Sequence, residues 1–168
     1  MQRRTLLQLG LGATAVLAIA GGSLALLKPG LAHGRMTPAA RSVFHAVARA
    51  VLDGSLPADA ARRDAALTSH LARLDETIAG FPPPVQSELS QLLALLATTP
   101  GRAALAGLST DWPDADVPEL QAALQSMRTS SLALRQQAYQ ALRDLTNAAY
   151  YADPATWSLL GYAGPRDI

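Results

Sequence analysis

The sequence predicts an all-α protein, an irregular bundle of about five to six helices that follows an N-terminal apolar segment. Three observations carry that expectation. Beyond residue 32, apolar residues recur at spacings of three and four, the period of one helix face. The body is rich in Ala, Leu, Gln and Arg, all good helix formers, and no segment combines period-two alternation with hairpin turn chemistry. Proline and glycine fall where helices would start and stop.

Met1-Gln2-Arg3-Arg4 precedes 23 uncharged residues, 5–27, and then Lys28-Pro29-Gly30-Leu31-Ala32. Charge, apolar run and small residues in that order describe an export leader over residues 1–32. Arg3 and Arg4, followed by Leu6 and Leu7, resemble the twin-arginine signal, which serves proteins that cross a membrane already folded. Gly10, Gly12, Gly21 and Gly22 give the run the moderate hydrophobicity of such leaders. Gly30-Leu31-Ala32 sets small residues at the third and first positions before a cut after Ala32, and Ala18-Ile19-Ala20 and Ser23-Leu24-Ala25 fit the same pattern. Retention as an anchor is the other reading, because 23 residues at about 1.5 Å each span the roughly 30 Å hydrocarbon core. In both cases Arg3 and Arg4 keep the N-terminus cytoplasmic. Residues 33–168 then form one domain that is periplasmic, or anchored to the inner membrane facing the periplasm.

Within that domain, Thr37 caps a first helix with Pro38 at its first position, and Ala40, Phe44, Val47 and Val51 form its stripe until Asp53-Gly54. Arg41, His45 and Arg49 line a second, solvated face. A second helix over about 59–78 carries Leu67, Leu71, Leu74 and Ile78, with His70 beside the stripe. Gly80 and Pro82-Pro83-Pro84 close it, the prolines reading as a stiff connector. Leu89, Leu92, Leu93 and Leu96 make a third stripe that ends at Thr99-Pro100-Gly101. Short helices follow over about 102–106 and 117–127, and the longest is expected over about 131–152.

Residues 33–168 hold 11 arginines and no lysine against 13 carboxylates, a net charge of −2. Without a basic excess the body lacks the footprint that phosphate neutralisation requires, which sets nucleic-acid binding aside. The absence of Cys removes disulfides, thiolate metal sites and covalent haem attachment. Some 136 residues suffice for one core.

The C-terminal helix places Leu134, Ala138, Leu142, Leu145 and Ala149 on one half of its cylinder, and Arg135 falls within that apolar half. A guanidinium there needs a carboxylate or carbonyl, or else meets a partner chain. Five of the eight aromatic residues follow in a cluster: Tyr139, Tyr150, Tyr151, Trp157 and Tyr162. Asp153 caps a short turn begun by Pro154, and Gly161 and Gly164-Pro165 end it. Tyr and Trp combine apolar area with a polar handle, which suits protein interfaces and equally suits sealing the end of a bundle. Arg135, Tyr150, Tyr151, Trp157 and Tyr162 are the candidate interface residues.

The stretch Asp144-Leu145-Thr146-Asn147-Ala148-Ala149-Tyr150-Tyr151-Ala152-Asp153-Pro154-Ala155-Thr156-Trp157, with Gly161-Tyr162-Ala163-Gly164-Pro165 after it, resembles the C-terminal signature of the gluconate 2-dehydrogenase small-subunit family. Phe44-His45-Ala46-Val47-Ala48-Arg49-Ala50-Val51-Leu52-Asp53-Gly54-Ser55-Leu56-Pro57 is similar to that family's first helix and its Leu-Pro exit. The resemblance implies a non-catalytic small subunit that binds no cofactor itself. Its partner would be a large FAD-dependent oxidoreductase of the glucose-methanol-choline type, with a cytochrome c subunit in some complexes. The twin-arginine translocase would carry the pair, since a flavoprotein that folds around FAD in the cytoplasm must cross the membrane folded.

Other classes find less support in the residues. Of the three His (His33, His45, His70), neither His45 nor His70 has a metal-ligand companion at i+3 or i+4, and no Gly-x-Ser-x-Gly nucleophile or Glu-x-x-His pair is present. No catalytic or metal site is expected. A stand-alone periplasmic module that binds a small apolar or aromatic ligand, with the tyrosines as its wall, is the alternative. Changing Arg3 and Arg4 together to lysine is expected to block export, read as precursor accumulating in the cytoplasmic fraction; export at the normal level would refute the twin-arginine reading.

Overall fold

A computed structural model describes residues 28–164, so Arg3, Arg4, Leu6 and Leu7 lie outside the described residues. The all-α expectation holds: helices account for 69% of the described residues. Strands β1 (Leu31–Ala32) and β2 (Arg35–Met36) are followed by α1 (Pro38–Val51), α2 (Ala60–Ala79), α3 (Pro83–Leu96), α4 (Thr99–Ala106), α5 (Val117–Arg128), α6 (Ala133–Tyr151) and a 3₁₀ helix (Pro154–Leu160).

Helix α1 is the hub. Thr37 caps it, its hydroxyl accepting from the Ala40 amide. Seven of its 14 residues are buried, among them Val43, Phe44 and Val47 at 0% exposure, which is too many for one stripe. Accordingly α1 packs against α2, α3, α5 and α6 together. Its tail Ala48 and Leu52 form a second, smaller cluster with Leu67 of α2 and Tyr150 of α6.

Four expectations need correction. Prolines 83 and 84 are the first turn of α3 rather than a connector, because the amides they lack are orphans there. Helix α4 begins at Thr99, not 102: Thr98 caps it through the Gly101 amide, and Pro100 and Gly101 sit in its first turn. A Cβ at Gly101 would lie 2.1 Å from the Leu95 carbonyl oxygen, so glycine is what lets the α3–α4 corner close. Helix α2, at 20 residues, outruns the 19 of α6, because Leu132 rather than Ser131 stands at the α6 N-cap.

The fourth correction concerns the start of the body. Antiparallel β1 and β2 pair Leu31 with Met36 and Ala32 with Arg35 across a turn in which His33 (φ 52°) and Gly34 (φ 73°) are both left-handed. Leu31 and Met36 join the main core. Residues 30–32, read from sequence as the end of the leader, therefore belong to the folded unit. The hairpin is too short for period-two alternation to reveal it.

The hairpin is held by a buried carboxylate. Asp75 of α2 accepts from the Met36 amide (2.8 Å) and from the Arg41 guanidinium of α1. Asp75 is 6% exposed, so its charge depends on those donors. Arg102 of α4 donates to the Leu108 and Ser109 carbonyls and pairs with Asp111 at 2.6 Å, while Trp112 Nε1 donates to the Leu96 carbonyl (2.8 Å). These bonds fasten the loop before α5. Replacing Asp75 by alanine is expected to cost about 3 kcal/mol in urea unfolding, because the amide and the guanidinium lose their acceptor. A loss under about 1 kcal/mol would show that the hairpin is held by packing alone.

Candidate functional site

The end of α6 and the 3₁₀ helix form a hook fastened to the bundle by polar groups. Arg73 of α2 donates from Nε to the Ala149 carbonyl (3.0 Å) and pairs through Nη1 with Asp153 (3.0 Å). The same Asp153 carboxylate accepts from the Ala155 amide and caps the 3₁₀ helix that Pro154 begins. Thr156 is buried and donates to the Tyr150 and Asp153 carbonyls. Trp157 Nε1 donates to the Tyr151 carbonyl (3.0 Å). Gly161 (φ 66°) then turns the chain so that the Tyr162 ring meets the Trp157 ring, centroids 5.3 Å apart.

The candidate interface residues divide accordingly. Tyr150 is corrected from contact to core: it is 3% exposed, and its hydroxyl donates to the Ser55 carbonyl (2.9 Å). Burial is the main cause that raises its pKa, with Tyr151 adding to it. Arg135, half-buried, finds the carbonyl partner that its place in the apolar half called for. Its Nε donates to the Leu105 carbonyl (2.7 Å) and Nη2 to Ser126 (3.0 Å), so the guanidinium stitches α4, α5 and α6 together. Tyr151 is half-buried beside Ser55, its ring edge-on to Tyr150. Trp157 is half-buried and anchored. Tyr162 is 49% exposed, and with it stand Leu159 (56%) and Leu160 (58%), which the sequence reading missed. Their signal was present in Trp157-Ser158-Leu159-Leu160, a run too short to show a period.

The hook therefore turns the polar groups of Asp153, Thr156 and Trp157 to the bundle and leaves Leu159, Leu160 and Tyr162 exposed. Beside it an open cleft of about 490 Å³ runs between residues 54–57, α2 and the 3₁₀ helix, with Ser69, Arg73, Tyr150 and Thr156 among its lining. Of the aromatic cluster, only Tyr150 lines it. Ala32, the candidate cut, is exposed on β1. Among the described residues, no three His, Asp or Glu side chains converge as metal ligands, and no helix is long and apolar enough to cross a membrane.

Two histidines depart from the sequence reading. His45 is half-buried rather than on a solvated ridge, for Arg41 is drawn to Asp75 and Arg49 donates to the Ala115 carbonyl. Burial, then Arg49, lowers its pKa, against Asp64. His70 is fully buried, edge-on to Tyr150, and neither ring nitrogen has a partner; the Thr146 hydroxyl on α6 is likewise unbonded. Burial, then Arg73, pushes the His70 pKa from 6.5 down to about 4.

With the geometry in hand, the class that fold and site define is an all-α domain bearing an anchored, outwardly apolar C-terminal hook. No protein-family model matches the chain, and neither the curated proteins nor the solved structures give a match.

Because His70 is neutral when folded and free to protonate when unfolded, its contribution is complete above pH 6.5 and is lost as pH falls through 6.5 towards about 4. That window corresponds to about 3 kcal/mol. In urea unfolding at pH 7 and pH 4, His70→Leu is expected to remove most of this acid loss relative to the parent chain. An equal pH dependence in both would assign the acid sensitivity to other groups.

Proposed function

We propose that this chain is an exported, non-catalytic small subunit that binds a periplasmic FAD-dependent oxidoreductase of the glucose-methanol-choline type. It would escort that partner through the twin-arginine route. The observation that carries the reading is the hook: Leu159, Leu160 and Tyr162 are exposed on a segment that Arg73, Asp153, Thr156 and Trp157 hold in place. Exposed apolar groups on a fixed support suit recognition, because little side-chain or backbone freedom remains to be lost on binding. The leader-like N-terminus and the resemblance of residues 144–165 to the gluconate 2-dehydrogenase small-subunit signature supply the identity of the partner. FAD would belong to that partner, and a cytochrome c subunit would complete some complexes.

A second reading is a stand-alone periplasmic module for a small apolar or aromatic ligand. The cleft beside Arg73 and Tyr150 favours it. The two readings diverge on purification, where a subunit brings flavin with it and a ligand module is colourless and alone.

Changing Leu159 and Leu160 together to aspartate is expected to lower capture of the flavoprotein at least tenfold, or about 1.4 kcal/mol. The melting temperature should stay close to that of the parent chain, since both side chains are on the surface. Undiminished capture by the double variant would move the contact elsewhere.

A further inference from the structure

The residues nominated by sequence for leader removal are structural. Gly30 donates its amide to the Ser90 carbonyl of α3 (3.2 Å), and its own carbonyl accepts from both the Thr37 amide (2.9 Å) and the Thr37 hydroxyl (3.0 Å). Thr37 is the residue that caps α1, so the cap of the central helix is itself held by Gly30. The Leu31 amide donates to Ser90 Oγ (3.0 Å), and the Leu31 side chain is buried in the main core. A Cβ at Gly30 would fall 2.5 Å from Leu93 Cβ and 2.6 Å from the Ser90 carbonyl oxygen. Gly30 is thus pressed against α3 where no other residue fits, which is the mark of a built contact rather than of a leader draped over the surface.

A cut after Ala32 would fall at the mouth of the hairpin turn, between paired Ala32 and left-handed His33. It would remove β1 entirely, strip Thr37 of its acceptor and take Leu31 out of the core. Proteases bind the residues before the scissile bond as an extended strand, and β1 already pairs with β2. If the chain crosses the membrane folded, as the twin-arginine reading has it, this hairpin is closed before a signal peptidase meets it.

We infer that Gly30-Leu31-Ala32 survives maturation: the exported chain is either cut upstream, after Ala25 or Ala20, or kept whole as an anchored protein. Four residues, 26–29, separate a cut after Ala25 from Gly30, so a cut there or further upstream leaves the contacts of Gly30 and Leu31 in place. The inference rests on the export reading of the leader and goes beyond it by fixing which side of Gly30 is expendable.

The test is intact-mass spectrometry of the full-length gene product, tagged at its C-terminus and purified separately from cytoplasmic, periplasmic and membrane fractions, for the parent chain and for Ala32→Gln. A bulky glutamine next to the bond blocks any cut after position 32 but leaves upstream sites untouched. The expected result is an exported chain that starts at Leu26, Gly21 or Met1, with Ala32→Gln processed to the same extent as the parent. An exported chain that starts at His33, or accumulation of unprocessed Ala32→Gln where the parent is cut, overturns the inference while leaving export intact. Full-length chain found only in the cytoplasm overturns the export reading itself, and the inference with it.

Discussion

Both ends of the described chain are fastened to one helix by charged groups two residues apart. Asp75 of α2 takes the Met36 amide and the Arg41 guanidinium, and so fixes the hairpin on α1; Arg73 takes the Ala149 carbonyl and the Asp153 carboxylate, and so fixes the C-terminal hook on α6. Residues two apart on a helix point in opposed directions, which is what lets α2 serve both. Asp75 is the more consequential of the pair, since it is buried and a buried carboxylate without donors is not tolerated. Asp75 thus ties α2 and the hairpin to α1, the helix against which α3, α5 and α6 pack.

The hook depends on the same logic with the signs of exposure reversed. Three polar side chains of the segment are spent on holding it in place: Asp153 on Arg73 and the Ala155 amide, Thr156 on two carbonyls, Trp157 on the Tyr151 carbonyl. The large side chains left outside are Leu159, Leu160 and Tyr162. A short 3₁₀ helix cannot hold itself in shape. The tether to α2 therefore makes its apolar face a fixed surface, and the proposed function rests on that fixity. His70, buried without a hydrogen-bond partner under Tyr150, ties the integrity of this end of the bundle to pH.

Helix placement was legible because caps and stops are local: Thr37 and Asp153 accept from amides three and two residues on, as their spacing from the following helix foretold, and Asp59 and Asp116 cap α2 and α5 in the same way without having been named as caps. Long-range pairings were not legible. For Arg135 the sequence left open a carbonyl within the fold or a partner chain, because its acceptor, the Leu105 carbonyl, lies 30 residues away. Tyr150 read as interface because its acceptor on Ser55 lies 95 residues away. Gly30-Leu31-Ala32 satisfies the small-residue pattern of a cut and the close-approach demand of α3 at once, and sequence alone has no means to separate the two. Leu159 and Leu160 escaped notice because a seven-residue 3₁₀ turn is too short for periodicity to mark its outer face.

The central claim is that the hook holds a flavin-bearing partner. Native mass spectrometry of the C-terminally tagged chain, purified without denaturant from the periplasmic and membrane fractions, tests it most directly. The account predicts a complex of defined mass that contains this chain and a larger protein with FAD still bound. A chain recovered only at its own mass, with no flavin in any fraction, would contradict it.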